Sequence, residues 1–476
     1  MAHHDDRPVP VRLRATLEWT EPPIWRVLDV DPVLTLDRLH RVLQIVFGWR
    51  DQHLHDFTDV DPYAQIGAAH GGKDPSQIRE PRVWTDLETL DGGPPMTEEA
   101  GVRFVDALGS TGVLFYQYDF GDSWTVRLDP LEETGTLEPG AAARVDDGAL
   151  AGPIDDSGGT SGYAQKLEIL AGPDSEERRD LADWVEWVCG PWRELSPERF
   201  DVPATNRVLA RLARAAPGHD GGAPPSAPVL AGIAGRLAEG MRPEFWAFVD
   251  AAGIEDGPIT ASEAEIGHMM GPYLWLIRRV GTDGLSLTDA GWLPPAVVRE
   301  AADVLNLKEN WIGSATRENS TPPILALRES AQWLGLVRKI KGRLTVPRAV
   351  QKLADDPREL WEHVAREALR RTKDGPYRDA AVLVFLDIAA GLRAQWRDTL
   401  EAVAFGLGAL GWAMPDGEPL NRWDASDLTG ELDGVLRSVG INSIASERNF
   451  VRASGAAAFA RAALPAGDPQ ETPPRT

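Results

Sequence analysis

The stretch from Ala215 to Pro228 reads AAPGHDGGAPPSAP. Its glycines loosen the backbone, its prolines remove amide donors, and it carries no large apolar side chain to bury. It therefore reads as a flexible linker that divides the 476-residue chain into parts that must each build a core. A hydrophobic content of 43% is enough for both. The expected organisation is an α+β domain over 7–214, the linker over 215–228, a mostly α-helical region over 229–464, and a disordered tail over 465–476.

Charge is distributed as unevenly as the chain is divided. The whole carries a net charge of −24, which opposes non-specific binding to nucleic acid or anionic membrane. Residues 1–214 hold 39 acidic and 21 basic residues, a net of −18. Against that, Arg328 to Arg378 holds 13 basic and 7 acidic residues, a net of +6. Such a run is usually a solvated helix face, and its functional alternative is a surface that contacts phosphate.

Other classes are excluded quickly. The single cysteine, Cys189, permits neither an intrachain disulfide nor a cysteine zinc cluster, which fits a reducing cytoplasm. The opening MAHHDDRPVP has no apolar core, so no secretory signal is expected. The longest apolar run, Ala380 to Ala390, is interrupted by Asp387 and too short to span a bilayer. There is no GxxxxGK[ST] or GxGxxG for nucleotide phosphates, and no GxSxG elbow for a nucleophilic serine.

In the N-terminal part, Val9 to Trp19 alternates apolar and polar residues as a half-buried strand does, and Pro22-Pro23 turns the chain into a second strand, Ile24 to Val30. A helix follows Thr35, with Leu36, Leu39, Val42, Leu43, Val46 and Phe47 as its apolar stripe and Gly48 as its stop. His53–Val60, Val113–Phe120 and Trp124–Leu128 read as further strands, and Gly162–Ala171 and Ser175–Cys189 as helices. The absence of a repeated βαβ unit predicts a mainly antiparallel sheet.

These motifs, in order, carry a resemblance: Pro22-Pro23-Ile24-Trp25-Arg26, Leu39-His40, Phe47-Gly48-Trp49, His53-Leu54-His55 with Phe57, and Tyr118-Asp119-Phe120-Gly121-Asp122 with Trp124. Val9 to Leu209 resembles the plasmid pRiA4b ORF-3-like family, often a passenger of bacterial insertion elements. The resemblance implies an α+β domain and no established reaction; an accessory or regulatory protein linked to a mobile element is the expectation set beside it. Two departures matter. Val126 stands where the family usually has a histidine, and Gly152-Pro153-Ile154-Asp155-Asp156 replaces a Pro-Pro-Glu-Asp motif, keeping its last acid as Asp156.

His53 and His55 are two residues apart, which on one strand places them on one face. With Asp119, Asp122 and Asp156 they form a candidate divalent-metal set of the two-histidine, one-carboxylate type, and a metal-dependent enzyme is one functional expectation. The alternative is that the histidines bond the adjacent turn. The DFG string at 119–121 is no kinase signature, because no glycine-rich phosphate loop or HRD segment accompanies it.

The C-terminal part reads as helices over 236–251, 261–279, 295–305, 324–334, 357–371 and 379–407. Gly284–Leu293, Gly342–Leu353 and, more faintly, Phe450–Leu464 each suggest a short strand leading into a helix. The middle copy, a helix and then two basic strands turning at Lys341-Gly342, resembles a winged-helix domain over about 301–368. That resemblance implies Arg328 facing a groove and Arg338, Lys339, Lys341 and Arg343 touching phosphates. Its alternative is a packing or protein-interaction module. The expected partners are thus nucleic acid or a protein, with no membrane. The first functional expectation is an accessory or regulatory protein acting at or near nucleic acid. A non-catalytic scaffold is a third.

Overall fold

The alternation of the first strand sets the architecture. In β1 (Val11–Leu17), Leu13, Ala15 and Leu17 are buried while Arg12, Arg14 and Thr16 are half-buried. β2 (Ile24–Val30) pairs with it antiparallel, from Val11 opposite Val30 to Leu17 opposite Ile24. The buried faces lie against α1 (Leu36–Phe47), whose inward residues join one core with Phe57, Phe104, Tyr116, Trp124 and Val126. Gly48 ends the helix at φ 76°, a left-handed conformation that glycine adopts without steric cost.

The computed structural model describes residues 9–64, 67, 71, 79–86, 96–109, 112–192, 196–214, 228–254, 261–307, 315–393, 395–442 and 455–464. Of the expected linker over 215–228, residues 215–227 lie outside the described residues and Pro228 opens a helix; the tail at 465–476 and the strand of the Phe450–Leu464 segment also lie outside them. Contacts divide the chain into two units, residues 1–222 with 238–247, and residues 223–237 with 248–476.

The first unit continues through β3 (His55–Thr58), β4 (Val83–Thr85), β5 (Thr97–Glu98), α2 (Phe104–Leu108), β6 (Leu114–Tyr118), β7 (Trp124–Thr134) and β8 (Ala143–Ala149). The strands form one sheet in the order β5-β4-β3-β6-β7-β1-β2-β8, antiparallel except for β4 with β5. Three helices follow: α3 (Gly159–Ala171), α4 (Glu176–Cys189) and α5 (Val202–Arg214). The unit is α+β, as expected from the pattern.

The second unit is mostly helical. It contains α6 (Pro228–Arg236), the end of α7 (Arg242–Ala251), α8 (Glu263–Val280), β9 (Leu285–Ser286), α9 (Pro295–Val304) and α10 (Pro322–Trp333). A hairpin of β10 (Arg338–Ile340) and β11 (Arg343–Thr345) follows, and β11 also pairs with β9. Then come α11 (Arg348–Leu353), α12 (Pro357–Arg370), α13 (Pro376–Ala390), α14 (Trp396–Ala409), α15 (Arg422–Leu428), α16 (Gly430–Ser438) and α17 (Ala456–Ala463). The apolar run Ala380–Ala389 is the buried centre of α13, and its Asp387 is paired with Arg393 and bonded by Thr399. Two helices expected as single pieces are broken. Residues 236–251 divide at a short 3₁₀ turn (Glu239–Met241), and 379–407 divide after Gly391 at φ 65°. Among the described residues no helix is long and apolar enough to cross a membrane.

Candidate metal centre

His40 and Gln44 break the apolar inward face of α1 one turn apart, and both are buried. Gln44 Nε2 donates to the Tyr116 hydroxyl at 2.8 Å, and that hydroxyl lies 2.8 Å from His40 Nδ1. His40 Nε2 is 2.9 Å from Asp51 Oδ1, and the Asp51 amide returns to Gln44 Oε1 at 2.8 Å. With the imidazole neutral, Tyr116 donates to Nδ1 and Nε2–H donates to Asp51, so every donor in the ring finds an acceptor. Burial pushes the His40 pKa down, in the same sense. This ring holds Asp51 at φ 55° and so aims the chain that enters His53.

A second brace fixes the same segment. Tyr118 donates to Asp155 Oδ1 at 2.9 Å and accepts from the Gln52 amide at 3.1 Å, while the Arg50 amide donates to Asp155 Oδ2 at 3.2 Å. Asp155, which stands where the resembling family has glutamate, is therefore a buried tie between segments.

The turn after β6 supplies the next group. Asp119 has φ 56°, and its Oδ1 accepts from the amides of Gly121 and Asp122 at 3.0 and 3.2 Å. Asp122 Oδ2 accepts from the Gly158 amide at 2.9 Å and staples this turn to the loop before α3. A side chain at Gly159 would meet Asp122 O at 2.7 Å, so only glycine lets the two turns close. That loop presents Asp156, also left-handed at φ 59°.

These turns bring His53, Asp119 and Asp156 together. His53 Nε2 lies 3.5 Å from Asp119 Oδ2 and 3.5 Å from Asp156 Oδ1. It is buried and makes no hydrogen bond. Donors at about 2.0–2.1 Å from a tetrahedral ion stand about 3.4 Å apart, so the spacing suits a shared cation. The three donor atoms all lie within 4.8 Å of one another. Asp119 is 10% exposed at its side chain and Asp156 66%, so one side of the cluster is shielded and the other faces solvent. Left-handed backbone at two non-glycine donors is strain of the kind that gathers at functional sites.

Two members of the expected set go elsewhere. His53 lies in a bend before β3 begins, so the two histidines do not share a strand face. His55 turns into the core, its ring stacked on His40 at 3.7 Å and its Nε2 3.0 Å from Glu99. His40, Asp51 and His55 also bring donor atoms within 4.8 Å, but both His40 nitrogens are already committed to the ring of bonds. Asp122 is a staple and not a third carboxylate. Val126 is buried opposite Tyr116, so the histidine missing there does not deplete the His53 cluster.

The basic candidates of the second unit divide as well. Arg328 does not face a groove. It is 6% exposed, paired with the fully buried Glu318 and bonded to Gln332. Its helix α10 is covered along one flank by α16, where Ser330 meets Ser438 at 3.1 Å. Arg343 braces its own sheet through Ser286 at 2.9 Å and the Asp283 carbonyl at 2.7 Å. Arg338, Lys339 and Lys341 stay exposed around the Lys341-Gly342 turn, whose φ values of 47° and 74° match a type I′ hairpin. Much of the remaining basic run is neutralised, with Arg358 on Glu263 and Arg370 and Arg371 on Glu367.

Residues 10–204 match the family model described as Plasmid pRiA4b ORF-3-like protein. The uncharacterized protein y4hQ of Sinorhizobium fredii is 29% identical over 182 residues, which are 38% of this chain and 80% of that protein. The crystal structure of a protein of unknown function from Methanosarcina mazei Go1 aligns at 27% identity over 41% of this chain and 96% of that one, with a TM-score of 0.32. The family match takes in all three donors of the cluster. None of these descriptions names an activity.

Proposed function

We propose that the first unit binds a divalent transition metal through His53 Nε2, Asp119 Oδ2 and Asp156 Oδ1, as a metal-dependent enzyme. One observation carries this reading: a buried imidazole nitrogen without a hydrogen bond stands 3.5 Å from each of two carboxylate oxygens. One histidine and two carboxylates suit zinc, manganese or iron, and three protein ligands leave a position for water or substrate. A bound ion would supply Lewis acidity and an acidified water, while the chain itself orients the ligands through the Tyr118–Asp155 and His40–Asp51 braces.

Elemental analysis of the purified chain, with titration of zinc and manganese into chelator-treated protein, tests it. About one equivalent is expected, with affinity falling at least tenfold in His53→Ala and in Asp156→Asn. Less than about a tenth of an equivalent of any transition metal, or affinity indifferent to both substitutions, sinks the reading.

A second reading concerns the β10–β11 wing. Among the described residues the order α8-β9-α9-α10-β10-β11 supports a winged-helix reading, and Arg338, Lys339 and Lys341 make no ion pair there. Contact of this tip with nucleic-acid phosphates would suit an accessory or regulatory role at a mobile element. Neutralising the three residues should then remove salt-dependent binding in a gel-shift series, and binding that persists unchanged counts against it.

A further inference from the structure

Helices α3 and α4 leave their apolar faces unfilled. Of the 13 residues of α3 only Gly159 and Tyr163 are buried, while Leu167 and Leu170 are half-exposed. Between the two helices and the β1–β2 turn lies an open cleft of about 710 Å³. Ala164, Leu167 and Leu170 line it from α3, Ala182, Val185 and Cys189 from α4, and Ile24 from the sheet. Protein interiors close such gaps to crystal-like density, and a cleft of this size and lining is in the range of small-molecule sites.

The polar groups of the cleft have one dominant sign. Glu21 reaches it from the β1–β2 turn, Glu186 from α4 and Glu198 from the segment before α5. All three are exposed, and their carboxylates make no hydrogen bond or ion pair among the described residues. Among the described residues one basic side chain lines it, Arg178, whose Nε donates to the Leu170 carbonyl at 2.9 Å. Apolar walls of low dielectric concentrate the field of three carboxylates within the cleft.

We propose that this cleft binds a lipophilic cation, a molecule with an aliphatic or aromatic body and one ammonium or guanidinium group. The body replaces water along Leu167, Leu170 and Val185, and the charged end lies among Glu21, Glu186 and Glu198. This site shares no residue with the metal cluster and does not depend on it.

Calorimetric titration of the full chain with decylamine, decanoate and decanol at neutral pH, each below its aggregation threshold, tests the proposal. Decylamine should bind one to one and at least about tenfold more tightly than decanoate. In Glu21→Gln/Glu186→Gln/Glu198→Gln that preference should shrink to within about twofold while decanol affinity is unchanged. Ala164→Trp with Ala182→Trp should block all three, with melting temperature as the check on folding. If that variant does not fold, the glutamine variant decides alone. The proposal is overturned if decanoate binds as well as decylamine, if the preference survives the glutamines, or if decylamine does not bind. It is also overturned if a leucine–lysine amphipathic helix binds about tenfold more tightly than decylamine, since the cleft would then be a protein-docking groove.

Discussion

Asp56 occupies the middle of β3, opposite Thr85 on one neighbour and Gln117 on the other. Its Oδ1 is buried and has no hydrogen-bond partner, and burial pushes its pKa up to about 6, against an opposing pull from His55. A raised folded-state value means that the stabilising contribution is complete below the unfolded value of 3.8 and is lost as pH rises through about 6. The interval between those values corresponds to about 3 kcal/mol once both states are ionised. Asp56→Asn removes the ionisation and keeps the shape, so the variant should match the wild type near pH 4 and exceed it by up to about 3 kcal/mol at pH 7.5. Hydrogen exchange read by mass spectrometry on peptides covering β3 and β6 isolates this sheet. Comparing the two proteins at each pH cancels the intrinsic exchange rate. Protection should rise by about two orders of magnitude at pH 7.5 and by less than about threefold at pH 4. An offset of equal size at both pH values would refute the reasoning, because amide packing and not charge would then be the cause.

Tyr116→Phe strips the closed ring of its hydroxyl and leaves His40 Nδ1 and Gln44 Nε2 buried without partners. The expected cost is about 2–4 kcal/mol, a fall of roughly 5–12 °C in the first unit's calorimetric transition, and a change below about 1 °C would show that the ring is not stabilising. Glu318→Gln takes the countercharge from buried Arg328, so the second unit's transition should lose about 3 kcal/mol or more in urea unfolding. A loss under about 1 kcal/mol would mean that Arg328 finds water or another anion.

Elements with strong period were legible in the sequence. The β1–β2 hairpin and α1 fall where alternation and the three–four spacing put them, because each has one buried face. β4, β5 and β8 escaped notice because they are short or carry charges on exposed faces, and pairing partners distant in the chain define them. The site was half legible. His53, Asp119 and Asp156 stand out as residue types, but their separation from His55 depends on where β3 begins, and strand boundaries are set by tertiary pairing. The braces Gln44, Tyr116, Tyr118 and Asp155 were missed. Their available signal was the pair of polar residues at His40 and Gln44 on an otherwise apolar helix face. Arg328 was misplaced because a charge count along the sequence does not show Glu318 waiting beneath it.

The position of β1 has a consequence for how this unit is made. Although it is the first strand, it lies inside the sheet, with Val11 opposite Val30 on one side and Thr134 on the other. During synthesis its outer edge stays unpaired until the chain has grown through β7. Closing so long a loop is slow, and an open strand edge in the meantime is a template for association with other chains. His53 leaves the ribosome well before Asp119 and Asp156, so these three side chains cannot meet on a nascent chain that has not yet passed the start of α3.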